Sequence, residues 1–285
     1  MTHRLRRRTL LGFAGALAGG GAYAATPNRS LDADRDRALI NLRLRYRSDD
    51  GAFFWWMVGT KLGQVEAETT PLFDMHVGTI GRITHKPGGA LSVTSVEVVF
   101  YTDLKTGAQL KQWRNPYTGA TVEVSHGPLG PETIAFGADT RKAIGPREVG
   151  GAIIDARAFD ADAVVVGDDA WARTVSTVTV TQKSGAGRPF FVNEWVMYQG
   201  STADILAADK PFIHARSQLH EITSWSKWMA MGAQPGNLTA KCIGAKVSAY
   251  AEMPERWRAL MSEAHPEIAR DPVGSLDRPA AKLDR

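Results

Sequence analysis

The chain has 285 residues, of which 44% are hydrophobic and 22% charged, and it holds a single cysteine. That length supports one sizeable core, while a lone cysteine excludes a disulfide within the chain and a metal site built on thiolates. Lys and Arg outnumber Asp and Glu by 34 to 30, but Arg4, Arg6, Arg7 and Arg8 all fall in the first 24 residues, which carry no acid. Beyond them the charges balance, so nucleic acid is not an expected partner.

In chain order, residues 1–24 come first: a basic head, a Gly- and Ala-rich apolar middle and a small-residue exit at Ala22-Tyr23-Ala24. This is the layout of an export signal, and Arg7-Arg8-Thr9-Leu10-Leu11 resembles the twin-arginine type. It implies the twin-arginine export machinery as a partner and a periplasmic or secreted location. The apolar run is too short and too rich in glycine for a stable membrane span. A single β-rich domain is expected over 25–270 and a flexible tail over 271–285.

Within the domain, Leu31–Arg45 reads as a helix. Strands are predicted at 53–65, 71–84 and 91–103, rich in β-branched and aromatic residues and bounded by turn chemistry such as Lys86-Pro87-Gly88-Gly89. Short strands follow around Asp103–Gly107 and Asn115–Gly119, each ending on a Gly where a tight turn needs positive φ. The segment 128–170, rich in Gly, Pro and Asp, reads as a long excursion. Further strands are predicted at 171–184, 189–200, 211–223 and 237–250, and a helix at 254–263 with Pro254 in its first turn. So many antiparallel strands with few peripheral helices predict a mainly β fold: a β-barrel, or a strongly curved sheet of the lipocalin or calycin kind.

Side chains alternate across a strand, so residues of equal parity share a face. Asp74, His76 and Arg82 fall together, as do Glu97 and Tyr101, Glu194 and Tyr198, and His214, Arg216, Gln218 and His220. Either these faces meet water, or they line a polar and aromatic cavity inside a barrel. The choice of His, Tyr, Arg and acid over Lys, Thr and Ser is what raises the second alternative. No nucleophile elbow, Walker loop, dinucleotide fingerprint or H-E-x-x-H is present. His214 and His220 stand about 20 Å apart along one strand and cannot share a metal. No metal site is therefore assigned and the cofactor is left unknown, with a mixed His and carboxylate site from different strands left open. Cys242, among apolar neighbours, reads as a buried structural thiol.

The blocks Asp103–Gly107 with Gln112–His126 (QWRNPYTGATVEVSH), and Trp225–Gly236 (WSKWMAMGAQPG), resemble the bacterial and fungal family known as domain of unknown function 1838. The resemblance runs over most of the chain and implies a shared fold without an activity.

Two functions fit the residues. One is a cofactor-independent lyase, isomerase or hydrolase acting on a small aromatic or oxygenated molecule. In it His126 or His76 acts as general acid or base and Glu97 or Glu194 orients it or shares the proton. Arg216 and Tyr117 hold a carboxylate or phenolic oxygen beside Tyr101, and Trp113 and Trp225 stack on a ring. The other is a non-catalytic carrier of a small molecule, haem or lipid with the same lining.

Overall fold

The structure, a computed structural model, describes residues 30–137, 146–149, 152–184 and 188–278. The proposed export signal lies outside them. Twelve strands are present among the described residues: β1 (Gly51–Val65), β2 (Glu68–His85), β3 (Leu91–Thr102), β4 (Gln112–Arg114), β5 (Thr121–Glu123), β6 (Pro128–Phe136), β7 (Arg147–Val149), β8 (Ala152–Val166), β9 (Asp169–Gln182), β10 (Phe190–Ser201), β11 (Ala215–Thr223) and β12 (Asn237–Val247). Four helices accompany them: α1 (Arg37–Arg45), α2 (Thr202–Leu206), α3 (Glu255–Ala264) and α4 (Pro266–Arg270).

Ten strands form one antiparallel sheet in the order β6-β3-β2-β1-β12-β11-β10-β9-β8-β7, and β4 pairs with β5 in a separate hairpin. The sheet curls into a half-barrel. Of the two forms expected, the strongly curved sheet is the one observed. Pairing of β1 with β12 puts the first and last strands at the centre, where both faces can be covered.

Two expectations are corrected. The segment 128–170 is not an excursion: it supplies β6, β7 and β8, and β8 pairs with β9 along almost its whole length. Interspersed Asp and Ala hide the strand pattern of AIIDARAFDADAVVV, yet Ala152 and Ala163 are buried. Residues 271–278, expected to belong to a tail, pack onto the sheet. Ser275 and Leu276 are buried and Asp277 pairs with Arg82 at 2.5 Å.

The inner face carries the odd-numbered residues of β1, β2, β3, β11 and the alternate residues that register opposite them. On β11 the alternation is complete: Ala215, Ser217, Leu219, Glu221 and Thr223 are buried while Arg216, Gln218 and His220 are exposed. Trp55 and Trp56 consequently point to opposite faces, Trp55 inward and buried. One end of the interior is filled by α1, whose Ile40 and Leu44 are fully buried against Phe53, Ile83 and Val93. Each such aliphatic side chain contributes roughly 2 kcal/mol. The last carbonyls of α1 need donors, and Lys246, wholly buried on β12, supplies them. Its Nζ donates to Arg43 O and Tyr46 O at 2.5 Å each, beside the Phe212 ring. The helix pair α3–α4 packs on the outer face over β1–β3, where Trp257 and Leu260 meet Phe54, Ile80 and Val98.

Candidate active site in the half-barrel interior

Midway along the interior, charges stand on a face that is otherwise apolar. Register runs from Lys61 on β1 to Ala240 on β12, to Glu221 on β11, to Glu194 on β10 and to Ser176 on β9. Ala240 is small and fully buried, so the long side chains on either side of it meet above it. Lys61 and Glu221 form a buried ion pair there, with side chains only 6% and 11% exposed. Ser176 Oγ donates to Glu194 Oε2 at 3.0 Å.

Glu97 approaches from the far side of the curl. Its half-buried carboxyl makes no hydrogen bond among the described residues, and its pKa is raised to about 7. Burial is the first cause, repulsion by Glu194 and Glu221 follows, and Lys61 opposes the rise. The same environment holds the Tyr101 hydroxyl neutral: burial, then Glu221 and Glu97, push its pKa up. Burial and Glu221 likewise raise the Cys242 thiol to about 12, which leaves it without thiolate reactivity at neutral pH. A carboxyl half-protonated at neutral pH, a second carboxylate and a buried ammonium together can donate, accept and stabilise charge on a bound molecule.

An aromatic wall closes the end opposite α1. Phe73 packs edge-on to Tyr101 and Trp113 with centroids at 4.8 and 5.6 Å, and Trp228 joins both Tyr101 and Trp113. Tyr117 and Trp225 pair at 5.3 Å over β1, at a place where a side chain on Gly63 would collide with the Tyr117 hydroxyl. The wall is held by Asn115, which is fully buried. Its Oδ1 accepts from the Tyr117 and Thr118 amides, and its Nδ2 donates to Met229 O at 2.7 Å. Asn115 thereby both shapes the hairpin turn, with Gly119 at φ 71°, and ties it to the 225–236 segment. Two separate sequence blocks are one structural unit.

The candidate residues therefore divide into four groups. Glu97, Glu194 and Tyr101 line the interior, and Trp113, Tyr117 and Trp225 belong to its end wall. His126 lies behind Tyr101 with both ring nitrogens on the main chain: Nε2–H donates to Leu110 O at 2.5 Å, and Nδ1 accepts from the Tyr101 amide at 3.2 Å. Burial lowers its pKa, in keeping with a neutral ring. His76 and Arg216 stand on the outer face; His76 registers with Phe100 and bonds Thr102 Oγ1 at 3.2 Å. The sequence reading missed Lys61 and Glu221. Their signal is parity: Lys61 shares a face with Phe53, Trp55 and Met57, and Glu221 with Ala215 and Leu219. Among the described residues no three His, Cys, Asp or Glu are grouped to hold a metal ion, and no helix is long and apolar enough to cross a membrane.

Fold and site together define an antiparallel half-barrel with an acidic, aromatic-walled interior. The chain belongs to the family described as a protein of unknown function, DUF1838, whose model matches residues 50–135 and 181–282. The gap in that match falls on β7, β8 and most of β9, which form one edge of the sheet. Comparison with curated proteins returned no match. Among solved structures the chain is similar to OmpT (in-vitro folded), an outer membrane protein of Vibrio cholerae, at 9% identity, covering 69% of this chain and 97% of that one with a TM-score of 0.14. It is similar too to its loop L8 deletion mutant, at 8% identity, 69% and 98% coverage and a TM-score of 0.14. Likeness at that level carries no structural or functional argument.

Proposed function

We propose that the interior is the active site of a cofactor-independent lyase, isomerase or hydrolase acting on a small aromatic or oxygenated molecule. Glu97 is the general acid or base. Its carboxyl, free of hydrogen bonds among the described residues and raised to about 7, is the observation that carries the proposal. A group with a pKa near the working pH combines a useful population of each form with a useful driving force. Glu194 is the second carboxylate, Lys61 the cation that meets negative charge developing on a substrate oxygen, and Tyr101 a neutral hydroxyl donor. Trp225, Tyr117 and Trp113 form the wall against which a ring would lie. His126 is a positioning residue, fixing the strand that carries Tyr101. Residues 1–24, with their basic head and small-residue exit, are proposed to direct the protein to the periplasm or beyond. Mass spectrometry of protein from the cell envelope should then find a mature chain beginning at Ala25.

The test is a turnover screen with esters, lactones, enols and hydroxy-carbonyl compounds, run on the wild type and on Glu97→Gln. A substrate should show a rate that titrates with a midpoint near pH 7 and is lost in the variant. A ligand bound equally by both proteins and left unconverted would instead make the protein a carrier.

A further inference from the structure

Among the described residues the carboxyls of Glu97, Glu194 and Glu221 act on one another across the interior, and each has different neighbours. Glu221 is paired with the Lys61 ammonium. Glu194 accepts from Ser176 Oγ at 3.0 Å. Glu97 makes no hydrogen bond among the described residues, and burial with the charges of Glu194 and Glu221 raises its pKa to about 7.

The sheet itself does not need the Ser176 contact. Strands β9 and β10 stay in unbroken register from Phe190 opposite Val180 to Ser201 opposite Asp169. On the inward side of that ladder Val178 stands opposite Val192 and Thr174 opposite Val196. Between those two pairs, Ser176 stands directly opposite the half-buried Glu194. A hydroxyl that donates to a carboxylate favours its charged form and fixes its orientation.

Other elements bring further titratable groups to the same space. Lys61 on β1 is engaged by Glu221 on β11. The Tyr101 hydroxyl on β3 and the Cys242 thiol on β12 are both held neutral by burial and by Glu221. Towards α1, the Tyr198 hydroxyl responds to both Arg45 and Glu194, and burial raises it to about 12. Glu97 and Glu194 are therefore the two groups between which a proton is divided at neutral pH. Two such carboxyls titrate as a unit, and the one better supplied with donors keeps its charge.

We propose that Ser176 is a positioning residue that holds Glu194 as the charged member of the pair and so leaves the proton on Glu97. Resting on the reading of the interior as an active site, this makes Glu97 the acid and Glu194 the base. Lys61, Glu97, Glu194 and Glu221 all lie within the family match, whereas Ser176 lies in its gap. The division is thus imposed by a residue that the family model does not cover.

Infrared absorption of the carboxyls tests this on the full chain without substrate, which keeps failure here apart from failure of the turnover screen. In Glu97→Gln, the Glu194 band is identified by its loss in Glu97→Gln/Glu194→Gln. Adding Ser176→Ala should raise its midpoint by about one pH unit, the worth of one hydrogen bond to a charged group. Ser176→Thr, which keeps the hydroxyl, should leave it in place. In Glu194→Gln the Glu97 midpoint should fall below 7, because one of the charges that raise it is gone. With a converted substrate the rate should fall as pH rises through 7, since Glu97 must arrive protonated. Four outcomes overturn the proposal: an unmoved Glu194 midpoint in Ser176→Ala, a shift as large in Ser176→Thr, an unmoved Glu97 midpoint in Glu194→Gln, or a rate that rises through pH 7.

Discussion

Glu97 on β3 and Glu194 on β10 are separated by four strands in the sheet, yet the charge of Glu194 bears on Glu97 across the interior. Curling of the sheet is what brings them face to face. Burial and the charges of Glu194 and Glu221 together favour the protonated form of Glu97, and Lys61, paired with Glu221, opposes it.

Replacing Glu97 by Gln should stabilise the protein above neutral pH. Folding raises this carboxyl from 4.5 to about 7, so the folded state binds more protons than the unfolded chain between those values. Its favourable contribution is complete below pH 4.5 and is lost as pH rises through 7. Glu97→Gln should gain roughly 1–2 kcal/mol over the wild type in urea unfolding at pH 8, allowing for solvent screening of a half-buried group. The two proteins should converge at pH 4.5. A variant less stable than the wild type at pH 8 would contradict the assigned environment.

Lys61→Met leaves Glu221 as an uncompensated buried charge and should cost about 3–5 kcal/mol. It also removes the cation that opposes protonation of Glu97, so the Glu97 midpoint, followed by infrared absorption of its carboxyl, should move above 7. The double variant Lys61→Met/Glu221→Leu should recover most of the lost stability. Equal stability of the single and double variants would show that the pair is not coupled.

With Glu97 replaced by Gln, acid should loosen the molecule before it protonates the ordinary carboxylates. Burial lowers the pKa of His76, His126 and His265 from 6.5, so the unfolded chain takes up protons that the folded state resists. Stability from these rings is complete above 6.5 and falls as pH drops below it. Melting temperatures of Glu97→Gln, in which the opposing proton uptake by Glu97 is absent, should decline between pH 7.5 and 5. His126→Phe, which removes one of the three rings, should be less stable at pH 7.5 because it loses both main-chain bonds, and should show a shallower decline. An equally steep decline would exclude His126 from the effect.

Asn115→Ala removes the turn acceptor and strands Met229 O, and should cost about 2–3 kcal/mol. Asn115→Asp keeps the acceptor but cannot donate to Met229 O, and buries a charge in its place, so it should be the more damaging change. Thermal melting read by tryptophan fluorescence orders the two variants; the reverse order would place the role of Asn115 in the turn alone.

Much of this was legible in the residues. Strand positions, the turn at Asn115–Gly119 and the opposite orientations of Trp55 and Trp56 follow from side-chain alternation and turn chemistry. Parity also joined Glu97 to Tyr101. The strand β8 was hidden because its small and acidic residues answer to the packing of α1 and to solvent rather than to intrinsic strand preference. His76 was set beside Glu97 as a catalytic candidate although the register of β2 on β3 sends them to opposite faces.

What the sequence determined by itself is local: which segments extend, where they turn, and which side chains share a face. Those properties arise from φ and ψ and from the near neighbours of each residue. Only the tertiary structure decided which face became the interior and that Lys61 meets Glu221 over Ala240. It also decided that Glu97 looks across at Glu194. Such contacts depend on the pairing order of strands far apart in the chain and on the curl of the whole sheet, and neither is written in any one stretch of residues.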